Sequence, residues 1–168
     1  MTAARNELRV DVVKAVRAPL PPSRIRDVLR IALAHPRVAA RAAGLLGGRA
    51  PELGVRITGD RELRRLNREF LGEDHATDVL SFPAGTADAD GYLGDVALSW
   101  PAVERQAGAF GHGTDVEALV LCVHGLLHVL GWDHADADQE RDMTGLTLEC
   151  LARAGVHPAQ DRLPPSYT

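Results

Sequence analysis

The sequence predicts a single α+β domain, a small mixed sheet of about four strands covered by helices. Three observations predict it. Short β-branched segments are mixed with longer segments of helical period along the chain. No Gly-rich nucleotide fingerprint accompanies any of the strands. With 168 residues, 45% of them apolar, the chain supports one core of ordinary size, whereas two domains would each be marginal.

Residues 8–16, LRVDVVKAV, are β-branched and partly alternating, which predicts a strand. After the turn-like PLPPS, residues 23–43 carry helical periodicity and many alanines, with a break near Pro36. GLLGGRAPELG reads as a loop, and GVRIT (54–58) as a second strand. Asp60 is the expected N-cap of a helix over 61–70. On that helix Leu63, Leu66 and Phe70 share one face, and Arg61, Arg64, Arg65 and Arg68 share another.

Residues 77–82, TDVLSF, predict a third strand closed by Pro83, and 84–91 a polar loop. YLGDVALSW (92–100) is the fourth strand, and Pro101 suits the first turn of a short helix. GHG (111–113) is a linker. Thr114, Asp115, Val116 and Glu117 fit a capping box that opens a strongly apolar helix over 115–130, expected to lie buried across the sheet. Gly131 ends it as a C-cap glycine, and a last helix covers 137–154 and stops at Gly155. We divide the chain into a domain over 1–156 and a flexible, loosely held proline-rich tail over 157–168.

Composition excludes several classes. No apolar run reaches the ~18 residues of a membrane span, and the first residues lack the apolar block of a signal peptide. The expectation is a cytoplasmic protein with no membrane partner. Cys122 and Cys150 are too few for a disulfide framework and read as small buried hydrophobes. Residues 1–70 carry 15 basic and 7 acidic side chains, and residues 71–168 carry 4 basic and 16 acidic ones. A polyanion can therefore meet a basic patch in the first half, although a net charge of −4 argues against non-specific nucleic-acid binding.

The chemistry concentrates in H-G-L-L-H-V-L-G-W-D-H, residues 124–134. A four-residue step turns a helix by ~400°, so His124 and His128 lie ~40° apart and ~6 Å along one face. Gly131 adopts φ > 0 and turns the backbone, so that His134 supplies a third nitrogen. Two imidazoles on a buried helix are awkward without a partner, because each ring carries a donor and an acceptor. Three nitrogens around one zinc ion, with a fourth position left for water, is the pattern of a catalytic rather than a closed structural site. Nickel, copper or iron also accept imidazole. Metzincin proteases share this spacing, but Gly125 stands where their water-activating glutamate would be, which argues against peptide hydrolysis. The metal-bound water is then the remaining candidate base.

With Gly125, Trp132 and Asp133 included, this block resembles the signature of the YbeY family of bacterial endoribonucleases. Leu66-Asn67-Arg68, Asp74 and TDVLSFP (77–83) resemble the family's second block, and Leu93-Gly94-Asp95-Val96 its third. The resemblance covers roughly residues 50–155. It implies an α+β domain, zinc held by His124, His128 and His134, and single-strand-specific, metal-dependent cleavage of RNA. It further implies work on ribosomal RNA, in maturation of the small-subunit RNA and in ribosome quality control, with the ribosome or small-subunit proteins as partners. Family members commonly carry an arginine directly before the Gly-x-Asp segment, with a catalytic or phosphate-binding role; here that position is Leu71.

Arg68, one turn earlier, is the candidate to take over that role. Asp95 reads as a site acid, a partner contact or a strand-end charge. The arginine stripe reads either as a solvated face, diluted by Glu62 and Glu69, or as an RNA-facing patch. Asp133 either orients a ligand imidazole or forms a turn. Thr77, Asp78 and Ser81 are expected to line the same cleft. His35, His75, His112 and His157 lack ligand spacing and read as surface or loop residues. Leu71 and the missing glutamate motivate the alternative function, a non-catalytic zinc-stabilised ribosome-assembly factor.

Overall fold

The structure is a computed structural model that describes residues 7–85 and 90–163. Strands β1 (Arg9–Lys14), β2 (Glu52–Thr58), β3 (Val79–Pro83) and β4 (Tyr92–Ser99) form one sheet in the order β1-β2-β4-β3. β1 pairs parallel to β2 and β2 parallel to β4, while β3 runs antiparallel to β4 at the edge. Parallel neighbours need crossover connections. Helices α1 (Pro22–Leu33) and α2 (Pro36–Leu46) supply the first, and α3 (Asp60–Leu71) lies on the route from β2 to β3. Helices α4 (Trp100–Phe110), α5 (Thr114–Val129) and α6 (Ala137–Arg153) complete the domain. The α+β class and the four-stranded mixed sheet are as the sequence predicts.

Helix α5 is apolar on nearly all sides because it is buried on nearly all sides. Residues 118–123 are all buried. It packs on β3 and β4 and touches α1, α4 and α6. Helix α3 covers the opposite face of the sheet, where Leu63 packs with Leu80 and Ala97. Successive strand residues face opposite ways, so Val96 looks towards α5 and Ala97 towards α3.

Several boundaries and caps differ from expectation. Helix α2 continues into the predicted loop as far as Leu46, because Gly47 is the first residue to take up the left-handed conformation (φ 57°) that ends it. Asp60 is not the N-cap; Gly59 is. The Asp60 carboxylate instead accepts hydrogen bonds from Ser99 Oγ (2.6 Å) and Arg105 Nη1 (2.9 Å), tying α3 to α4. The capping box also fails: α5 starts after Gly113 without a side-chain cap. Glu117 turns inward, because a buried guanidinium is a stronger partner for it than a backbone N–H.

Helix α3 is rotated relative to the expected apolar face. Leu63 is buried but Phe70 is 64% exposed. Asn67 is buried instead, and its amide donates to the His75 carbonyl at 3.1 Å.

The segment 157–163, expected to be loose, packs back onto the body, with Arg162 and Leu163 buried. The rest of that tail, 164–168, and residues 86–89 of the polar loop lie outside the described residues. Among the described residues, no helix is long and apolar enough to cross a membrane.

Candidate metal centre

His124 and His128 project from one face of α5, and their Nε2 atoms stand 3.1 Å apart. Two nitrogens on one tetrahedral ion at ~2.0–2.1 Å each sit about 3.3 Å from one another, so the pair is spaced for a shared ion. The third imidazole arrives as the sequence predicts. Gly131 adopts φ 104°, and the Trp132 N–H returns to the Leu127 carbonyl at 3.0 Å. The chain doubles back and brings His134 to ring-centroid distances of 5.0 Å from His128 and 6.2 Å from His124. One nitrogen from each ring falls within 4.8 Å of the other two. Three imidazole nitrogens converging at this separation fit a divalent cation.

The surroundings hold two of the rings, His124 and His128, in their ligand form. Burial, followed by the neighbouring charges of His128, His134 and Arg162, pushes the His124 pKa down to about 3. Burial and His134 also lower that of His128, against a hydrogen bond with the Trp132 backbone and the charge of Asp133. Trp132 is itself held in place: the Arg41 guanidinium lies 4.1 Å above its ring, and Asp142, paired with Arg37 at 2.8 Å, accepts from its side chain. Asp133 forms the turn, its Oδ1 accepting from the His134 N–H at 2.8 Å.

Gly125 has a packing reason. A β-carbon there would lie 2.6 Å from Val96 Cγ1 and 3.0 Å from Cγ2. The helix sits so close to β4 that no side chain fits after the first ligand. Ser81 Oγ donates to the Gly125 carbonyl at 3.1 Å and fastens the same contact from β3.

The three histidines open into a cleft of about 620 Å³, whose wall includes Thr77, Asp78 and Ser81, as expected, together with Leu71 and Arg162. Arg68 and Asp95 are not among the residues lining it. Arg68 is exposed on α3 and makes no ion pair among the described residues. Asp95 neighbours Val96 and faces the other side of the sheet, where it accepts a hydrogen bond from the Tyr92 hydroxyl and sits over Gly54. The arginine stripe is partly neutralised by the Arg64–Asp74 and Arg65–Glu69 pairs.

Sequence reasoning missed Arg162. Its Nε and Nη2 form a fork on the fully buried Glu117 carboxylate, each at 2.7 Å. His112 Nε2 also bonds Glu117, at 2.8 Å, and its Nδ1 accepts from the Ala159 N–H at 2.9 Å. The available signal was Glu117 itself, because a carboxylate in an apolar helix needs a cation from elsewhere. His112 is thus a half-buried loop residue. His35, also outside the helices and strands, is buried; it accepts from the Arg37 N–H at the start of α2 and bonds Glu149 at 2.8 Å.

A family model described as Endoribonuclease YbeY matches residues 22–155. The chain belongs to this family. Curated members named Endoribonuclease YbeY are similar to it at several levels. The one from Gloeobacter violaceus is 45% identical over 119 residues, which are 67% of this chain and 60% of that relative. The one from Bordetella pertussis is 41% identical over 139 residues, covering 83% and 86%. The Bordetella avium relative is 38% identical over 157 residues, covering 93% and 95%. The solution structure of a Thermotoga maritima protein shares the fold, with a TM-score of 0.53 at 21% identity, covering 94% of this chain and 97% of that one.

Proposed function

We propose that this chain is a zinc-dependent endoribonuclease that cuts single-stranded RNA in the cytoplasm, acting in small-subunit ribosomal RNA maturation and ribosome quality control. The observation that carries the reading is the convergence of three imidazole nitrogens in an open cleft of a chain that belongs to the YbeY family. His124, His128 and His134 would hold the ion. When bound, zinc supplies a Lewis acid and lowers the pKa of a coordinated water to ~7.

The protein's own contribution is placement. Burial keeps His124 and His128 neutral, in the case of His128 against the opposing effect of the Trp132 backbone bond. Gly125 lets α5 press against β4 directly after the first ligand. Arg68 is the proposed contact for the RNA backbone. Asp95, bonded to Tyr92 on the far side of the sheet, is proposed to stabilise β4 rather than meet the substrate.

The test is cleavage of a single-stranded RNA by the zinc-loaded protein, compared with chelated protein and with His124→Ala. Both should be inactive. Cutting that survives chelation and the mutation would overturn the zinc mechanism. Gly125 and Leu71 favour a second reading, a non-catalytic zinc-stabilised ribosome-assembly factor. Under it the histidine variants lose stability, while wild-type protein cuts no faster than a mock purification.

A further inference from the structure

The two most exposed large apolar side chains among the described residues are neighbours. Phe70 is 64% exposed and Leu71 54%, at the end of a helix whose other outward positions are mostly charged. Leu71 lines the metal cleft. Phe70 is held edge-on against Phe82, with ring centroids 5.5 Å apart and planes at 71°, so its orientation is set before anything binds. We propose that Phe70 and Leu71 form a shelf on which an unpaired nucleobase of the RNA stacks, next to the phosphate presented to the three histidines. This rests on the endoribonuclease reading and adds a base-binding subsite to it.

Three features favour a nucleobase as the occupant. A base has an apolar face of the size of one aromatic ring, and single-stranded RNA leaves that face free for stacking on Phe. Leu71 belongs to the wall of the cleft and Phe70 adjoins it in the chain, so a nucleotide on the shelf stays chained to one near the three histidines. Arg68 lies three residues before Leu71 on the same helix face and makes no ion pair among the described residues, which leaves it for the adjoining phosphate. A protein partner is the poorer fit, because two side chains offer far less than the ~800 Å² per partner of a stable interface. Leucine at 71 thus gives this stretch of the cleft an apolar surface for a base in place of a charge for phosphate.

The test measures binding of an uncleavable 2′-O-methyl oligonucleotide by anisotropy, and cleavage of the matching RNA, for wild type, Phe70→Ala, Phe70→Trp and Ile31→Ala. Base–aromatic stacking predicts that Phe70→Ala weakens binding about 5- to 100-fold. It should raise KM with little change in kcat. Phe70→Trp should bind at least as well as wild type, and Ile31→Ala, exposed elsewhere, should change nothing. Unchanged binding by Phe70→Ala, or an equal loss in Phe70→Trp, overturns the stacking shelf. In that case wild-type cleavage still stands. If wild type neither binds nor cuts the RNA, the endoribonuclease reading falls first and the shelf with it.

Discussion

Substituting Gly125 by alanine tests whether the approach of α5 to the sheet sets the candidate metal centre. The new methyl would sit 2.6 Å from Val96 Cγ1, where carbon atoms prefer ~3.5–4.0 Å. Val96 has little room to yield. It is fully buried, stiff at χ1, and its backbone is paired to Val55 on one side and Ser81 on the other. The helix must therefore retreat by about 1 Å, and overpacking of this kind costs about 1–3 kcal/mol. Retreat also stretches the Ser81 bond to the Gly125 carbonyl, worth about 1 kcal/mol. Alanine's better helix propensity returns a similar ~1 kcal/mol. The net loss is about 1–3 kcal/mol, a fall in Tm of about 3–9 °C for a domain of this size. Denaturant unfolding of Gly125→Ala, Val96→Ala and the double variant forms a cycle in which the two losses should fall short of adding. Strict additivity, or a Gly125→Ala protein as stable as wild type, would refute the argument. The same geometry predicts that Gly125→Glu, which writes the protease motif into the sequence, lowers stability and yields no peptidase.

Further outcomes follow from other contacts. Glu117→Ala removes the buried carboxylate on which the Arg162 fork sits and should cost about 3–5 kcal/mol in urea unfolding. Glu117→Leu combined with Arg162→Met should cost clearly less, and equal losses would show that the pair does not act as a unit. Burial pushes the Cys122 thiol up to about 12 and that of Cys150 up to about 11. Neither should react with a thiol reagent at pH 8 in native protein, whereas both should react after denaturation; fast native labelling would contradict the packing.

In metal-free protein an unfolded imidazole gains its proton near pH ~6.5, while folded His124 resists until about 3. The unfolded state binds more protons in that window, so stability falls as pH drops from ~6.5 towards about 3. Denaturant curves at several pH values should show a weaker pH dependence for His124→Ala, and identical slopes would disprove it.

The elements were legible where one local rule decided them. The i, i+4 histidines and the glycine after them specify the clustering of the three rings locally, so the candidate metal centre follows from eleven positions. Helix α5 was legible as a buried element because it is apolar all round. What escaped was set by partners far away in sequence. Asp60 and Glu117 both fit capping patterns, yet Arg105 and Arg162, 45 residues further on in each case, claim their carboxylates. Phe70 fits an apolar face that α3 does not bury, because Asn67 is anchored on His75 in its place. Ordinary composition hid the packed segment 157–163, whose two buried residues have no periodic pattern to mark them.

The Glu117–Arg162 fork also imposes an order on how the protein is made. Synthesis runs from the N-terminus, so the helix that carries His124 and His128 emerges well before the arginine that neutralises its buried carboxylate. A nascent chain complete only through α6 lacks the arginine fork, and His112 is the partner that Glu117 then keeps. The wall of the cleft beside His124 is finished when residue 162 docks. Ribosome-bound chains that stop short of it should therefore hold a looser α5 than released ones.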